Sequence, residues 1–599
     1  MPAPLRRFIG SHRSVLALFA ALLGAICGLA SVAFHYCIEG WTWVMTGYRD
    51  YSEHLGQGHG YWHIGSWFVI AAPVISGLIY GPMIYRWAPS ARGHGIPEVM
   101  LAVKRKAGKI PGQVAIVKII ASALTLGGGG SVGREGPIVQ VGAALGSALA
   151  RRTGLDSRRV ILLAACGSAA GIAATFNAPL AGSVFALELI LVNFTAESFG
   201  MVVISAVSAS LVSHAFLEDS PVVAIPRNLH VAAASDFTWI IVVAFITALA
   251  GLGFSKLLYW IEDLIDAIYR APEWARPALG GIVIGLMLYC FPAMYGSGYP
   301  IQLKGLTGEY TIAFLFLLAA ARALFTSVTI AIGGSGGVFA PTLFIGAMVG
   351  SACGQALSPF THTSASVFGV IGMGAAFAGA ARAPMTAVLI IVEMTGQYSL
   401  IMPMMLAVVI ATAISRFLTR KTIYTTKLIR RGDILDDPFD ATLVGRLPAN
   451  RLMSHIPTVL STSMTLEEAN RILISRGLTR LPVVSSQGLY VGCVTSLLIA
   501  QAYVSDKPSD SRLRDIDLDR SHVTPSTRPS KVLAHLVSNN ASAVPVVDDG
   551  ELIGWITQKD LVNLIYRQQQ SILEGEKLNT SFGSRWLAKH HHSQVSKEE

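Results

Sequence analysis

The sequence predicts an all-α polytopic membrane domain made of two related halves, followed by a smaller α/β domain at the carboxyl end. Three observations lead to this prediction. Of the 599 residues, 52% are hydrophobic and only 14% are charged, whereas about a quarter of the residues in a soluble domain are charged. Within the apolar part, short motifs recur at a nearly constant spacing. A second, shorter repeat occurs in the polar part of the chain, after Arg431.

Membrane segments begin close to the amino terminus. A basic segment, residues 1–14, precedes a long apolar run that starts at Val15 and continues past Val32 without a convincing cleavage pattern, so we expect a membrane helix. Further apolar segments follow at residues 66–86, 112–127, 138–150, 158–174, 179–193, 199–217, 238–260, 277–292, 311–332, 341–357, 366–379, 385–394 and 401–418. Several fall short of the ~20 residues that a perpendicular span requires. Short segments broken by glycine and proline are typical of helices that stop inside the membrane and direct their ends at a buried site.

The positive net charge does not indicate a nucleic-acid partner. The formal charge is +10, but basic residues cluster beside apolar runs, as at Lys104–Lys106 and Arg416–Lys421. This distribution is typical of the cytoplasmic flanks of membrane helices. We therefore expect a multi-pass protein of a lipid bilayer with both termini in the cytoplasm, in a prokaryotic inner membrane. The six cysteines stand singly, without the spacing of a disulfide framework or a zinc site.

The repeat in the apolar part relates two series of motifs. Gly133-Arg-Glu-Gly-Pro137 matches Gly337-Val-Phe-Ala-Pro341, and 341 − 137 gives an offset of 204. The same offset relates Ser131 to Ser335, Gly142 to Gly346, Gly146 to Gly350 and Ser147 to Ser351. Asn177-Ala-Pro179 and Arg382-Ala-Pro384 differ by 205, and each proline is followed nine residues later by a glutamate, Glu188 or Glu393. The halves are most similar at about residues 100–217 and 310–418, and a pair of interrupted helices predicts a site at their interface.

The glycine-rich loops of the repeat predict an anion site. Non-helical backbone at membrane depth, such as residues 127–130 and 333–337, is tolerated where it lines a protein cavity. Each loop leads into an apolar segment with a proline near its start, a good first helical residue. Helix N-termini carry unpaired N–H groups and about half a positive charge, so two of them can hold an anion without a full cation. The alternative is that the glycines serve close helix packing.

Glu135 lies within the first of these motifs and is the candidate gate. An ionisable residue at membrane depth is a functional candidate in its own right. Ionised, its carboxylate mimics an anion and can occupy the N–H site of the anion itself. Protonated, the carboxyl group is neutral, is no longer attracted to that site as an anion is, and can swing away. The sequence therefore predicts a gate that depends on pH.

Three motifs together resemble the signature of a known family. Gly93-His-Gly-Ile-Pro-Glu98, Gly133-Arg-Glu-Gly-Pro137 and Gly337-Val-Phe-Ala-Pro341 are similar to the three motifs of the CLC chloride channels and transporters, over roughly residues 15–430. The resemblance implies an inverted repeat of tilted helices, a homodimer with one pathway per subunit, and chloride as the bound ion. By motif position, Glu135 is the gate. The implied anion-binding residues are His94, Gly95, Arg134, Gly136, Val338, Phe339 and Tyr424.

Two positions depart from the family pattern. His94 stands where chloride-selective members usually carry serine and nitrate-selecting members proline; its ring either donates an N–H to the anion or turns aside into packing. Proton-exchanging members place a relay glutamate second in a Glu-Glu pair, but here the pair is Glu188 and Leu189. The missing relay favours a passive channel over an antiporter, with a non-standard proton route as the alternative. For Glu188 and Glu393 we also consider polar pairing between helices, and for Tyr424 an interfacial anchor.

The polar part of the chain contains its own repeat. Arg480–Val484 with Val491–Thr495 matches Ala543–Val547 with Ile553–Thr557, and the offsets are 545 − 482 = 63 and 557 − 495 = 62. Predicted amphipathic helices, Leu466 to Arg476 and Val532 to Asn539, precede the strand pairs. The pattern resembles tandem CBS domains at residues 448–505 and 514–568, between a linker at 431–447 and a flexible tail at 569–599.

In CBS domains a Thr-x-x-Asp motif binds the ribose of adenine nucleotides. Thr557 and Asp560 fit that motif, whereas Thr495 is followed by Leu498 in the first copy. Two roles of the CBS pair therefore remain as alternatives, regulation by a nucleotide bound at one site and a spacer that promotes dimerisation. His590–His592 in the tail are expected to be solvated rather than to bind metal.

Other functional classes fit the sequence less well. A divalent-cation transporter with a CBS tail would need several oxygen ligands, but Glu135, Glu188 and Glu393 are scattered. No nucleophile–base constellation or metal motif is present, so we expect no enzyme activity, no catalytic residue, no metal and no required cofactor.

Overall fold

The computed structural model describes residues 13–61, 65–191, 195–217, 225, 229–419, 421–431, 433, 449, 452–505, 508, 510–527, 529–538, 541–561 and 563. The chain divides into two compact units, Met1–Leu435 and Asp436–Glu599. The expected amino-terminal segment 1–14 and linker 431–447 lie almost entirely outside the described residues. The expected tail 569–599, with its three histidines, lies wholly outside them.

The first unit is built from α-helices. In its described residues they are α1 Arg13–Thr46, α2 Phe68–Trp87, α3 Ile96–Arg105, α4 Gln113–Gly127, α5 Glu135–Arg152, α6 Ser157–Phe176, α7 Pro179–Phe185, α8 Ala196–His214, α9 Asp236–Ile268, α10 Arg276–Cys290, α11 Tyr299–Leu306, α12 Ile312–Ala331, α13 Phe339–Leu357, α14 Ala365–Ala381, α15 Pro384–Thr395, α16 Ile401–Leu418 and α17 Ile423–Arg430. A π-helical turn, Ala186–Leu191, continues α7.

Length and composition make many of these helices suitable for a bilayer. Eight helices in the described part of the chain are long and apolar enough to cross a membrane, and further apolar helices have only 10–17 residues. Outward-facing side chains are apolar, for example Leu18 (69% exposed), Leu211 (67%) and Met402 (72%). In lipid these side chains face hydrocarbon while each helix satisfies its own backbone groups. The predicted all-α membrane domain with short, interrupted helices is confirmed.

Several glycines of the repeat serve helix packing rather than a site. A Cβ on Gly142 would collide with the carbonyl group of Gly167 in α6, and one on Gly146 would collide with that of Leu163. In the second half, Gly346 and Gly350 of α13 meet α14 in the same way. Small residues at this spacing let helix backbones approach closely in a membrane. For these four glycines the packing alternative is therefore correct.

Two glutamates join the halves of the first unit. The Glu188 carboxylate accepts hydrogen bonds from the N–H groups of Met385 (3.2 Å) and Thr386 (2.9 Å) at the start of α15. The Glu393 carboxylate accepts them from Leu180 (3.2 Å) and Ala181 (2.7 Å) at the start of α7. Each glutamate thus caps the first turn of a helix in the opposite half, where the helix dipole favours negative charge.

Replacing Glu188 with glutamine should destabilise the first unit by about 1–2 kcal/mol, because hydrogen bonds to a charged group are stronger than those to a neutral one. Thermal unfolding of the purified protein in detergent measures the change. The matched control is Glu309→Gln, since Glu309 is exposed and its carboxylate accepts only from the nearby Thr307 hydroxyl among the bonds seen. Equal melting of both variants would contradict the capping role.

The second unit is a small α/β structure. Its described elements are β1 Leu460–Ser461, α18 Leu466–Arg476, β2 Arg480–Val484, β3 Tyr490–Thr495, α19 Ser496–Val504, α20 Pro529–Ser538, β4 Ala543–Asp548 and β5 Glu551–Thr557. β1 pairs parallel with β2, and β2 pairs antiparallel with β3. β4 and β5 form a separate antiparallel pair. The predicted strand pairs are present, α18 has its predicted bounds, and α20 begins three residues before its prediction, whose end at Asn539 lies outside the described residues.

Candidate functional site

Three loops meet inside the first unit. Gly133 and Gly337 exchange backbone hydrogen bonds, with N···O distances of 2.8 and 2.6 Å. The Gly93 N–H donates to the carbonyl of Gly334 (3.2 Å), and the Gly336 N–H donates to the carbonyl of Gly93 (3.4 Å). These loops lead into α3, α5 and α13, so the three helices start from one buried region.

Close backbone approach explains the glycines of these loops. A Cβ on Gly337 would lie 2.8 Å from the amide nitrogen of Gly136, and a Cβ on Gly95 would lie 2.8 Å from the carbonyl oxygen of Gly136. Gly95 also has φ +79°, which favours glycine. Any side chain here would separate the helix starts.

The prolines stand two positions later in their helices than expected. α5 begins at Glu135 and α13 at Phe339, so Pro137 and Pro341 are third helical residues rather than first ones. Proline is tolerated there because N–H groups of the first turn have no acceptor within the helix. The remaining first-turn N–H groups carry the positive end of each helix dipole.

The Glu135 side chain lies fully buried at this junction, with 0% exposure. Its Oε2 accepts a hydrogen bond from the N–H of Ala340 (3.4 Å), in the first turn of α13. Its Oε1 accepts one from the hydroxyl of Tyr299 (2.7 Å). A carboxylate of one half therefore sits at the helix N-terminus of the other half, two residues from Val338.

His94 and Tyr424 approach the same region from α3 and α17. Their ring centroids are 6.3 Å apart, and both side chains are 1% exposed. Among the described residues, neither ring nitrogen of His94 nor the Tyr424 hydroxyl has a hydrogen-bond partner. A buried polar group without a partner is costly, so these groups are available to a ligand. Such deep burial of Tyr424 does not fit the alternative of an interfacial anchor.

Two lysines lie behind the loop that carries His94. Lys118 is fully buried, and its Nζ donates to the carbonyls of Ala91 (2.8 Å) and Gly93 (2.7 Å), directly before His94. Lys427 also reaches Gly93, where its Nζ lies 3.0 Å from the position of an added Cβ. Both amines lie on the loop before α3, and the expectation that helix ends can hold an anion without a full cation stays a prediction. Lys427 forms an ion pair with Glu262 (3.2 Å), whereas the Lys118 amine has the two backbone carbonyls as its partners.

Arg322 is the counterpart of Lys118 in the other half, since 322 − 118 gives the offset of 204. It is fully buried and donates to the carbonyls of Gly296 (2.9 Å) and Ser297 (2.6 Å). Gly296-Ser-Gly298 in turn corresponds to Gly93-His-Gly95 at an offset of 296 − 93 = 203. Lys118, Arg322 and Tyr299 were not predicted from the sequence. The offset of 204 would have indicated the two cations, but it does not indicate Tyr299.

A cavity of about 620 Å³ lies beside Glu135. Its polar lining includes His35, Glu39, Arg49, Arg134, Asn177, His214 and Tyr299. Arg134 precedes α5, and its guanidinium carbon lies 5.6 Å from the centroid of the Tyr299 ring. Tyr299 thus lines the cavity and also contacts Glu135. The two arginines of the lining are accompanied by one carboxylate, Glu39.

The remaining predicted positions lie apart from the junction. Leu189 is 7% exposed within the π-helical turn after α7, and Glu188 is engaged at the start of α15. No group of three or more histidine, cysteine, aspartate or glutamate residues in the described part of the chain is placed to hold a metal ion.

In the second unit, Thr557 and Asp560 bind each other. The Thr557 hydroxyl and N–H donate to Asp560 Oδ2 (2.7 and 3.1 Å), and the Asp560 N–H donates back to the hydroxyl (3.0 Å). The hydroxyl of Ser454 also donates to Oδ2 (3.1 Å). In the first copy, the Thr495 hydroxyl accepts from the Leu498 N–H (3.1 Å). Each threonine hydroxyl therefore accepts from the N–H three residues later, and only the second is joined by a carboxylate.

The chain is similar to two known protein families and to known transporters. Residues 76–416 match the model described as voltage gated chloride channel, and residues 449–504 and 514–567 match the CBS domain. The chain is 32% identical over 442 residues to the H(+)/Cl(-) exchange transporter ClcA of Cronobacter sakazakii, covering 72% of this chain and 92% of that protein. It is 30% identical over 439 residues to ClcA of Klebsiella pneumoniae, covering 71% and 91%.

Solved structures show the same similarity. A slow cyanobacterial Cl⁻/H⁺ antiporter superposes with a TM-score of 0.63 and 25% identity, covering 69% of this chain and 97% of its own. A eukaryotic CLC transporter superposes with a TM-score of 0.59 and 19% identity, covering 91% of this chain and 97% of its own. The match to the eukaryotic transporter includes residues of both units.

Proposed function

This chain belongs to the CLC family of anion transport proteins, with a carboxyl-terminal CBS pair, and from that membership we propose that it conducts chloride passively through a pathway gated by Glu135. It is an integral membrane protein. Family membership also excludes the alternative considered from the sequence, a divalent-cation transporter with a CBS tail. Beyond family membership, we propose the identity of the ion, the residues that bind it, the gate and the absence of proton coupling.

One observation carries the proposal. The Tyr424 hydroxyl and both His94 ring nitrogens are buried without partners among the described residues, beside helix starts that present N–H groups. Such a set of donors suits an anion that gives up its hydration shell, and it binds weakly enough for passage because most of the charge is partial. Lys118 holds the Gly93 carbonyl from behind the loop and has no direct place among the proposed ligands.

We assign the pathway in two steps. The central anion is held by Tyr424, by His94 with the neighbouring backbone of Gly95, and by the first-turn N–H groups around Val338 and Phe339. The outer step lies at Glu135 and Gly136, with Arg134 at the cavity. The support for the outer step is that the Glu135 carboxylate accepts from the Ala340 N–H (3.4 Å), as a bound anion would. Chloride is the proposed ion, and selectivity among anions turns on His94.

Passive conduction is favoured by the region after α7. Leu189 occupies the position of the proton-relay glutamate, and the neighbouring Glu188 is committed to capping α15. A side chain without a titratable group cannot pass a proton. The second candidate is a proton-coupled antiporter with another proton route, which is favoured by the names of the ClcA relatives and of the cyanobacterial antiporter.

Flux from liposomes distinguishes the two candidates. The intact chain is reconstituted with an outward chloride gradient and no initial pH difference, and internal pH and chloride are followed together. We expect chloride efflux once valinomycin is added, because K⁺ then leaves with chloride and no membrane potential builds up. We expect no chloride-driven movement of protons against their gradient. Uphill proton movement would contradict the passive channel and establish the antiporter.

For assembly, we propose a homodimer with one pathway per subunit and with both termini on the cytoplasmic side of a prokaryotic inner membrane. Counting photobleaching steps of singly labelled chains in liposomes tests the dimer. Two steps in most particles are expected, and single steps throughout would contradict it. Protease access to the tail in inside-out vesicles tests the orientation.

For the second unit, we propose one adenine nucleotide site at Thr557 and Asp560, with a dimerising spacer as the alternative. The bonds that Asp560 accepts within the described residues fall on Oδ2, which leaves Oδ1 for a ribose hydroxyl. Asp560→Asn should weaken binding of a fluorescent ATP analogue to the full chain about tenfold, as expected for loss of one charge-assisted hydrogen bond. The control is the exposed Asp517→Asn. Absence of saturable binding to the unmodified chain would favour the spacer.

A further inference from the structure

Tyr299 is the side chain between the cavity and Glu135. Its hydroxyl donates to Glu135 Oε1 at 2.7 Å, while its ring lines the cavity. We propose that Tyr299 is a positioning residue that latches ionised Glu135 in the blocking position and releases it on protonation. The proposal rests on the proposed role of Glu135 as the gate and assigns a further residue to that gate.

The geometry makes the Tyr299 bond the stronger hold on Glu135. The only other hydrogen bond to this carboxylate in the described part of the chain comes from the Ala340 N–H at 3.4 Å, near the limit for such a bond. An O–H to carboxylate bond is charge-assisted and roughly twice as strong as a neutral one. Protonation of Glu135 removes that advantage. The hydroxyl therefore favours the ionised, blocking form selectively.

Tyr299 is itself held on two sides. It opens α11 directly after Gly296-Ser-Gly298, and the buried Arg322 fixes the carbonyls of Gly296 and Ser297 at 2.9 and 2.6 Å. On its cavity side, the Arg134 guanidinium faces the ring at 5.6 Å, within the range of a cation–π interaction. A donor fixed in this way loses little entropy when it binds Glu135.

Four titratable or charged side chains face Glu135 from the surrounding elements. Tyr299 contacts it from α11, Tyr424 lies within electrostatic reach from α17, and Arg322 does so from α12. Arg134 adjoins it at the start of α5. Of these four side chains, Tyr299 is the one that donates a hydrogen bond to the carboxylate in the described part of the chain. Removal of this hydroxyl should therefore act on the blocked state in particular.

The test is the pH profile of chloride efflux from liposomes that contain full-length Tyr299→Phe. Loss of the donor makes the blocking form less stable, so protonation opens the pathway at a higher pH. We expect the midpoint of the profile to move up by about one pH unit, with efflux at neutral pH raised several-fold. Tyr299→Leu should give the same direction of shift, and elution of each variant as a single peak shows that it is folded.

Matched controls separate the latch from a general effect on packing. Tyr295→Phe removes a hydroxyl next to the same loop, one that donates to the Gly127 carbonyl at 2.6 Å rather than to Glu135, and it should leave the midpoint unchanged. In a Glu135→Gln background, Tyr299→Phe should have no further effect, because there is no carboxylate to hold.

Other outcomes overturn the latch and are distinguishable from failure of the gate itself. An unchanged midpoint in Tyr299→Phe, with a flat profile in Glu135→Gln, refutes the latch and leaves Glu135 as the gate. A further change of efflux in the double variant shows that Tyr299 acts on the anion rather than through Glu135, which also refutes the latch. A normal pH profile in Glu135→Gln refutes the proposed gate.

Discussion

Replacing Glu135 with glutamine should make chloride efflux almost independent of pH and raise it at least about tenfold at neutral pH. The carboxylate accepts hydrogen bonds from Tyr299 and from the start of α13, and a neutral amide loses their charge-assisted part. A loss of about 1.4 kcal/mol from the blocked state already shifts the open population tenfold. Efflux from liposomes at pH 4.5 to 8 measures the profile.

The control for this substitution is Glu309→Gln, which removes a carboxylate from an exposed position of the same unit. Its profile should match that of the unmodified chain. If Glu135→Gln retains the original pH dependence, Glu135 is not the gate, and the dependence has to come from another titratable group of the pathway.

Replacing Gly337 with alanine should reduce chloride efflux at least about tenfold, since overpacking of this kind costs 1–3 kcal/mol. The new methyl group would lie 2.8 Å from the Gly136 amide nitrogen and 3.2 Å from the Gly133 carbonyl oxygen. Both contacts are backbone and cannot turn aside. The starts of α5 and α13 must then separate, and the anion loses the joint field of the two helix ends.

The matched control is Gly253→Ala in α9, where an added Cβ meets nothing within 4 Å. It should leave efflux unchanged. Both variants are compared by size-exclusion chromatography in detergent, so that loss of flux in a folded Gly337→Ala protein is separated from loss of the protein. Normal efflux in that folded variant would show that close contact of the helix starts is dispensable.

The sequence predicts the architecture well because the bilayer constrains it strongly. Apolar runs become helices, since no other local structure satisfies the backbone in lipid. The offset of about 204 residues also has a direct structural counterpart. Glu188 and Glu393 cap one another's halves, and Lys118 and Arg322 hold corresponding loops. Two related halves were therefore readable from spacing alone.

The contact partners of individual side chains were harder to predict from the sequence than the architecture. Tyr299 lies 164 residues from Glu135 in the chain, and no helical or strand period links positions that far apart. The start of a helix also depends on which loop backbone it meets. α5 and α13 begin two residues before their prolines, directly after the loops in which Gly133 and Gly337 pair with each other.

Glycine motifs carried two meanings that the sequence could not separate. Gly142 and Gly346 recur at the same offset as Gly133 and Gly337. The first pair packs helices against their neighbours, and the second joins the loops at the junction. Only the three-dimensional contacts distinguish the roles, because the residue type and the spacing are identical.

The central claim is that a halide binds between the starts of α3, α5 and α13, with donors supplied by His94, Tyr424 and helix N–H groups. Anomalous diffraction from crystals grown in bromide tests this most directly. We expect a bromide peak within hydrogen-bonding distance of the Tyr424 hydroxyl and beside the backbone of Val338 and Phe339. Bromide bound only at the Lys427 ammonium or in the outer cavity, with none at Tyr424, would contradict it.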